Sequence, residues 1–192
     1  GRTVITAAKR GARAMGIEYN PDMVELSRKN ALAANVGERA TFVKADLFET
    51  DFSQATVITM FLLPQINMKL RPKILDMKPG TRVVSNTFTM EDWEADETQT
   101  VGNECQTWCT ALFWIVPAKV GGTWKMPQGD LTLTQKFQII TGTLGSTQVT
   151  GRLRGAEIEF TGGGNKYTGR VNGNTIQGNA TNGGAFTATK VR

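Results

Sequence analysis

Two acidic residues occupy positions at which a parallel sheet binds nucleotide-like cofactors. Glu18 ends the strand-like run Ala12–Glu18, and Asp46 ends the run Phe42–Asp46. Such cofactors bind at the carboxyl ends of parallel strands, where an acidic residue after one strand accepts hydrogen bonds from ribose hydroxyls. A second polar or acidic residue, after the next strand, lies near the base. We therefore take Glu18 and Asp46 as candidate cofactor-binding residues.

Each acid alone also has a purely structural explanation. Glu18 is then a solvated carboxylate at a strand end, and Asp46 is a helix or turn cap. Both acids, however, end consecutive strands, and the helix start Asn20-Pro21 stands between them. Asn is a good N-cap and Pro suits the first helical position. This arrangement favours the binding interpretation.

The composition removes several kinds of chemistry. The chain has no histidine, which excludes Ser-His-Asp and Cys-His nucleophilic systems and His-ligated metal sites. Its two cysteines, Cys105 and Cys109, are too few for a cysteine zinc site. A disulfide between them would close a very small loop, and we expect two half-buried thiols near a strand instead. We expect no metal site and identify no catalytic base.

Helix and strand signals alternate through residues 1–118, which predicts a parallel sheet with helices on its faces. Because the order begins with a helix, we expect the first strand of this sheet to precede Gly1. The helix with Leu70 and Met77 is expected to break or kink at Pro72. The predicted elements are a helix at Arg2–Arg10, a strand at Arg13–Tyr19, a helix from Pro21 to Asn35, strands at Ala40–Ala45 and Thr56–Leu63, a helix from Ile66 to Met77, a strand at Thr81–Phe88 and an antiparallel pair, Thr98–Val101 and Thr110–Val116.

A change of composition near Lys119–Gly122 predicts a second domain. Residues 1–118 carry 13 Lys+Arg and 14 Asp+Glu, whereas residues 119–192 carry 9 and 3, together with 15 of the 21 glycines. An 18-residue repeat relates Thr150–Ile158 to Thr168–Ile176, as expected of one β-hairpin per repeat. We predict an antiparallel meander rolled into a small, side-chain-filled barrel or a sandwich. Its expected strands are Asp130–Ile140, Gln148–Leu153, Glu157–Thr161, Lys166–Val171, Thr175–Gly178 and Ala185–Val191.

Four segments of the first domain resemble, in order, the motifs of class I S-adenosylmethionine-dependent methyltransferases. They are Gly1–Lys9, Gly16–Pro21, Ala45–Phe48 and Leu75–Val84. The first is similar to the end of the glycine-rich motif and the last to the Lys-Pro-Gly entry into strand five. The resemblance implies a Rossmann-like sheet and S-adenosyl-L-methionine as cofactor, with S-adenosyl-L-homocysteine as product. The implied cofactor-binding residues are Gly1, Glu18, Tyr19, Asp46 and Leu47.

Within that class, the chain resembles the protein-lysine methyltransferases of the mitochondrial type and their bacterial relatives. Those enzymes methylate adenine nucleotide translocase or the ATP synthase c-subunit, and the likeness lies in Phe52–Ile58, Leu63–Gln65 and Phe88–Trp93. Methyl transfer to a protein lysine is therefore expected. The second domain is not part of that pattern. The implied acceptor-pocket residues are Leu62, Leu63, Pro64, Asn86 and Phe88.

Other interpretations stay open at this point. The acceptor can be a small molecule, or the chain can be a non-catalytic binding protein that retains the fold. Trp93 can line the acceptor pocket or pack over the sheet edge. A nucleic-acid acceptor is disfavoured because no Asp/Asn-Pro-Pro-Tyr/Phe motif is present and the basic residues after 119 are dispersed. No stretch is apolar enough to span a membrane. Cytoplasmic location is expected by default, with a periplasmic or envelope location left open.

Overall fold

The computed structural model describes residues 1–102 and 105–191. The chain divides into two compact units, Gly1–Phe52 and Ser53–Arg192. The composition boundary near residue 119 falls inside the second unit, between an open sheet and a closed barrel. The division into two domains, residues 1–118 and 119–192, therefore stays a prediction.

The first unit contains two helix–strand pairs, as predicted. Helix α1 spans Arg2–Lys9, strand β1 Ala14–Glu18, helix α2 Pro21–Ala33 and strand β2 Ala40–Lys44. The two strands pair in parallel, so both carboxyl ends lie at one edge. The helices bury their apolar positions against this pair, which gives the unit its own core. The buried residues are Ala8, Val24, Ala31, Ala40 and Phe42.

The start of α2 follows the predicted Asn-Pro signal. The Asn20 side-chain oxygen accepts hydrogen bonds from the backbone N–H groups of Asp22 (2.9 Å) and Met23 (3.4 Å). Pro21 occupies the first turn, where its missing N–H would have no helical partner. Such a cap contributes roughly 1 kcal/mol to a helix, and it fixes the direction in which the chain leaves β1.

The second unit opens with a four-stranded sheet of order β3-β4-β6-β5. Strands β3 and β4 are parallel, whereas β6 runs antiparallel to both β4 and β5. The predicted late antiparallel pair is therefore confirmed. The elements are β3 (Val57–Met60), α3 (Pro64–Leu75), β4 (Arg82–Asn86), β5 (Glu97–Thr100) and β6 (Thr110–Ile115).

The break expected at Pro72 is not observed, because helix α3 runs through Pro72 and ends three residues later, at Leu75. The run Thr56–Leu63 is apolar on both faces, which predicts a buried central strand, but β3 is not buried on both faces, since Val57 is 43% exposed. The reason is its position, because β3 is an edge strand in the order β3-β4-β6-β5.

The rest of the second unit is a closed eight-stranded antiparallel barrel, the barrel alternative of the sequence prediction. Neighbouring strands pair in chain order, and β14 closes the barrel on β7 through Thr189–Lys125 and Lys190–Trp124. The strands are β7 (Gly122–Met126), β8 (Gly129–Lys136), β9 (Ile139–Leu144), β10 (Thr147–Arg154), β11 (Glu157–Gly162), β12 (Asn165–Asn172), β13 (Thr175–Ala180) and β14 (Gly184–Lys190).

Side chains fill the barrel interior, as the short strands predicted. Phe160 and Tyr167 stack with ring centroids 4.6 Å apart, and Phe186 meets both rings edge-on. Gly151 lets the paired strand approach closely, because a Cβ there would lie 2.1 Å from the Glu159 carbonyl oxygen. Tight curvature of this kind commonly requires glycine within strands. The barrel is thus a packed core.

The sequence interpretation missed β7 and merged β8 with β9. The predicted strand Asp130–Ile140 is interrupted at Phe137 and Gln138, where Phe137 adopts φ +54°. The Phe137 ring stacks on Trp93, which lies in the connection between β4 and β5 of the open sheet, with ring centroids 5.7 Å apart. Trp93 and Trp114 are each buried and 6.1 Å apart. This aromatic contact attaches the barrel to the sheet.

Polar contacts reinforce the same junction. The Asp96 carboxylate accepts hydrogen bonds from the Ile115 N–H (2.8 Å) and the Arg152 guanidinium (2.9 Å). The Gln138 amide donates to the Glu94 carbonyl at 2.9 Å. The Asp96 side chain is only 1% exposed, and a buried carboxylate of this kind needs such partners. The barrel is therefore built into the second unit.

Candidate functional site

The parallel register of β1 and β2 brings the two predicted acids to one edge of the first unit. Glu18 lies opposite Lys44, and the Ala45 N–H donates to the Glu18 carbonyl at 3.1 Å. Asp46 follows one residue later. The Glu18 Oε1 accepts the Asn20 N–H at 2.9 Å, and this bond orients a carboxylate that is exposed to solvent.

Asp46 also caps a turn, which was the purely structural explanation considered for this residue. Its Oδ1 accepts the Phe48 N–H at 2.8 Å, an Asx-turn contact. Its carbonyl accepts the N–H of Thr50 at 3.0 Å. Tyr19 is 76% exposed, and Leu47 is half-buried. Glu18, Tyr19, Asp46 and Leu47 thus have the accessibility that cofactor contacts require.

Gly1 is required by packing in the first unit. A Cβ at this position would lie 2.8 Å from Ser27 Oγ and 2.9 Å from Phe42 Cζ. The glycine therefore lets the start of α1 approach α2 and β2 closely, the kind of helix–strand packing seen in glycine-rich nucleotide-binding turns. Its assignment to cofactor contact stays a prediction.

The predicted acceptor residues follow β3 and β4 in the second unit. Met60 lies opposite Ser85 in the parallel register, so the segments after both strands emerge at the same edge. Leu62 is half-buried, and Leu63, the N-cap residue of α3, is 56% exposed. Pro64 occupies the first turn of α3, and Asn86 ends β4.

The backbone turns sharply immediately after Asn86. The Phe88 N–H donates to the Asn86 carbonyl at 2.7 Å, across Thr87 with φ +66°. A positive φ is rare and costly for a β-branched residue. Two side-chain hydrogen bonds stabilise this turn. The Phe88 carbonyl accepts them from Ser85 Oγ (2.6 Å) and Asn67 Nδ2 (3.2 Å). These bonds fix the direction of Phe88.

Phe88 belongs to a cluster of three aromatic rings, here named the aromatic triad: Phe61, Phe88 and Trp108. Centroid distances are 5.6 Å for Phe61–Phe88, 5.6 Å for Phe61–Trp108 and 5.3 Å for Phe88–Trp108. Phe61 is 55% exposed and Trp108 is 53% exposed. Of these three residues, only Phe88 is among the predicted acceptor-pocket residues. The position of Phe61 near the carboxyl end of a predicted strand indicated that it lies at this edge, whereas no local sequence feature connected Trp108 to the same edge.

Trp108 lies within a disulfide loop. Cys105 and Cys109 are bonded, so the expectation of two free thiols is wrong. The intervening turn, in which Trp108 adopts φ +58°, brings the two Cα atoms to 5.7 Å, within the range that a disulfide requires. Spacing alone did not reveal this turn. The disulfide limits the freedom of Trp108 beside the other two rings.

Trp93 is not part of this edge. It is fully buried and packs against Trp114 and Phe137. Its carbonyl accepts the Trp114 indole N–H at 2.9 Å. The packing interpretation of Trp93 is therefore supported over the pocket interpretation.

The barrel's excess of basic residues is mostly neutralised by ion pairs. Of the described cations after residue 118, only Lys190 lacks an acidic partner, and its ammonium lies 5.4 Å from the Trp124 ring centroid. The pairs are Lys119–Asp76, Lys125–Asp130, Lys136–Asp92, Arg152–Asp96, Arg154–Glu97, Lys166–Glu159 and Arg170–Glu157. This surface does not form the unpaired basic patch that phosphate backbones favour.

Comparison with known proteins identifies the family to which this chain belongs. The model of the ANTKMT methyltransferase domain matches residues 1–97, half of the chain and the part that holds Glu18, Asp46 and Phe88. The chain belongs to the ANTKMT methyltransferase family. The predicted resemblance to this group of methyltransferases is thereby confirmed.

Named relatives of this family member cover the same half of the chain. A protein-lysine N-methyltransferase of Saccharolobus islandicus (strain REY15A) is 44% identical over 100 residues, or 50% of this chain and 62% of the relative. The Mus musculus lysine N-methyltransferase of the ATP synthase c-subunit is 38% identical over 99 residues, covering 51% and 40% respectively. The chain thus spans about half the length of these curated relatives.

A solved structure also resembles this ANTKMT family member. That structure is described as an RNA methyltransferase from Salinibacter ruber in complex with S-adenosyl-L-homocysteine. Sequence identity is 45%, the TM-score is 0.56, and the match covers 62% of this chain and 76% of that one. The methyltransferase-like part of the predicted fold is confirmed by this similarity. No helix among residues 1–102 and 105–191 is long and apolar enough to cross a membrane.

Proposed function

We propose that this chain is part of an S-adenosylmethionine-dependent methyltransferase that modifies a lysine of a protein. The observation that carries the proposal is the common edge of β1 and β2, where Glu18 ends β1 and Asp46 follows the adjacent parallel strand β2. Family membership supports it, as do the lysine methyltransferases among the relatives. The S-adenosyl-L-homocysteine bound in the similar solved structure supports the cofactor.

The residues of the first unit fit this cofactor. The exposed Glu18 carboxylate, oriented by the Asn20 N–H, would accept hydrogen bonds from the ribose hydroxyls. Asp46 and Leu47, in the turn after β2, would contact the adenine, and Tyr19 lies next to Glu18 in the chain. The predicted fold for this function is a Rossmann-like class I methyltransferase sheet within residues 1–118, with residues 119–192 as an attached barrel.

When bound, the cofactor supplies an activated methyl group on a sulfonium. The protein's contribution is then mainly proximity and orientation. The segments Leu62–Pro64 and Asn86–Phe88 emerge from neighbouring parallel strands and would hold the acceptor. Their apolar side chains would also disfavour the charged form of an approaching lysine, because desolvation lowers the pKa of an amine.

RNA is the second candidate acceptor, because the similar solved structure is described as an RNA methyltransferase. The electrostatics of the barrel favour a protein acceptor. Seven of its described cations are already paired with carboxylates, and strong binding to RNA normally depends on many phosphate contacts. A small-molecule acceptor remains the third alternative.

Calorimetric titration with S-adenosyl-L-homocysteine tests the cofactor proposal. The natural protein that contains this chain should bind, and Glu18→Ala should weaken binding by about tenfold or more, about 1.4 kcal/mol. Glu38→Ala is the matched control, since this exposed acid precedes β2 at its opposite end. Absence of binding by the unaltered protein would refute the proposal.

Transfer of labelled methyl groups then identifies the acceptor. After incubation with cell extract, hydrolysis of the labelled product should release methylated lysine. Label that is lost on ribonuclease treatment would instead establish the RNA alternative.

A further inference from the structure

We propose that the aromatic triad is the subsite that receives the side chain of the acceptor lysine, with the ring faces binding its ammonium group. The inference rests on the proposed function and deepens it by naming the ligand chemistry. Two of the three residues, Phe61 and Trp108, are absent from the sequence-predicted acceptor set. The third, Phe88, is oriented by hydrogen bonds to its own carbonyl.

Exposure is the first argument. Phe61 and Trp108 are each more than half exposed, and so is Leu63. Clustered exposed apolar side chains are uncommon on soluble proteins and often mark binding surfaces. This cluster lies beyond the carboxyl ends of the parallel strands β3 and β4, which is where open α/β sheets bind ligands.

Backbone strain at the same place is the second argument. Thr87, directly before Phe88, has φ +66°, and Trp108 itself has φ +58°. Non-glycine residues in this region of backbone conformation are strained, and such residues concentrate at ligand-binding and active sites. Here Ser85 and Asn67 hold one strained turn, and the Cys105–Cys109 disulfide closes the other.

Ring geometry selects a cation. The centroids form a triangle with sides of 5.3, 5.6 and 5.6 Å. An ammonium about 5 Å above the plane of the centroids would therefore lie within roughly 6 Å of all three, the range of cation–π attraction. The rings are inclined at 33°, 43° and 70° to one another. A nucleobase prefers one flat face for stacking, so the triad suits a compact cation better.

The indole N–H signal of Trp108 in an NMR spectrum of the full chain provides the test. The probe is the blocked peptide acetyl-Gly-Lys-Gly-amide, compared with its norleucine counterpart, which keeps the apolar stem and lacks the charge. Trp108→Phe assigns the signal. The lysine peptide should shift it in a saturable way, and the norleucine peptide should not.

Variants separate π attraction from apolar contact. Phe61→Leu keeps an apolar side chain and removes a ring, so lysine affinity should fall about two- to fivefold. Ile139→Ala, at an exposed barrel position, should leave affinity unchanged. Replacing both cysteines by serine should weaken lysine binding, because Trp108 would no longer be held. Unchanged affinity in that variant would overturn the role given to the disulfide.

Three results would overturn the inference itself. They are equal binding of the norleucine peptide, no shift with the lysine peptide up to its solubility limit, and a stronger response to a single-stranded RNA oligonucleotide. The calorimetric titration with S-adenosyl-L-homocysteine is independent of these outcomes. Intact cofactor binding with no lysine response therefore removes only the triad inference, whereas a lysine response without cofactor binding removes the proposed function.

Discussion

Replacement of Trp93 by alanine should strongly destabilise the junction between the open sheet and the barrel. The indole is fully buried, and it packs 5.7 Å from Phe137 and 6.1 Å from Trp114, centroid to centroid. Truncation of a buried tryptophan to alanine typically costs about 3–5 kcal/mol, because apolar contacts are lost and a cavity remains. About 0.5–1.5 kcal/mol of that loss belongs to aromatic pairing.

Trp93→Phe is the informative companion. The buried Trp93 indole N–H has no hydrogen-bond partner among the described residues, and an unsatisfied donor costs about 1–3 kcal/mol. Phenylalanine removes that donor while it retains a ring against Phe137. The loss of volume and the removal of the orphan donor therefore oppose each other, and we expect a net change within about 1 kcal/mol.

Urea unfolding followed by far-UV circular dichroism measures both effects. Ile139→Ala, on the exposed barrel surface, is the control and should change stability by no more than about 0.5 kcal/mol. A loss of less than about 1 kcal/mol for Trp93→Ala would refute the reasoning, since the junction would then not depend on this packing.

Two further predictions concern the barrel and its polar contacts. Gly151→Ala should destabilise the protein by about 1–3 kcal/mol in thermal unfolding, because the new Cβ would lie 2.1 Å from a carbonyl oxygen of the paired strand. Gly102→Ala is the control and should be nearly neutral, because a Cβ at Gly102 meets nothing within 4 Å. Hydrogen bonds from Arg71 and then Lys136 lower the pKa of Asp92 below 3.8, so its stabilising effect is present above that pH and is lost as the pH falls through the lowered value. Melting temperatures of Asp92→Asn and the unaltered chain should therefore differ near neutral pH and converge in acid; a difference that grows in acid would contradict this assignment.

The positions of the paired acids were predictable because they depend on local rules. Alternating helix and strand signals predicted parallel strands, and parallel strands place their carboxyl ends together. The Asn20-Pro21 cap between them also depends only on neighbouring residues. Glu18 and Asp46 could therefore be located at one edge before any contact was known.

The aromatic triad and the β8–β9 turn depend on tertiary contacts, which periodicity does not encode. Trp108 reaches Phe61 and Phe88 from the disulfide loop, which follows both of them at a distance along the chain. The turn at Phe137 lacks the glycine, asparagine or proline that usually marks one. Its ring instead stacks on Trp93, and the positive φ at Phe137 accompanies that contact.

Closure of the barrel limits how this protein can change in length during evolution. A hairpin repeat suggests growth by duplication, yet eight strands enclose an interior that side chains just fill. One additional hairpin would give ten strands and an interior that Phe160, Tyr167 and Phe186 no longer fill. Loss of one hairpin would leave too little room for them. Insertions and deletions in related sequences should therefore concentrate at turns such as Gly163-Gly164, while the number of strands stays fixed.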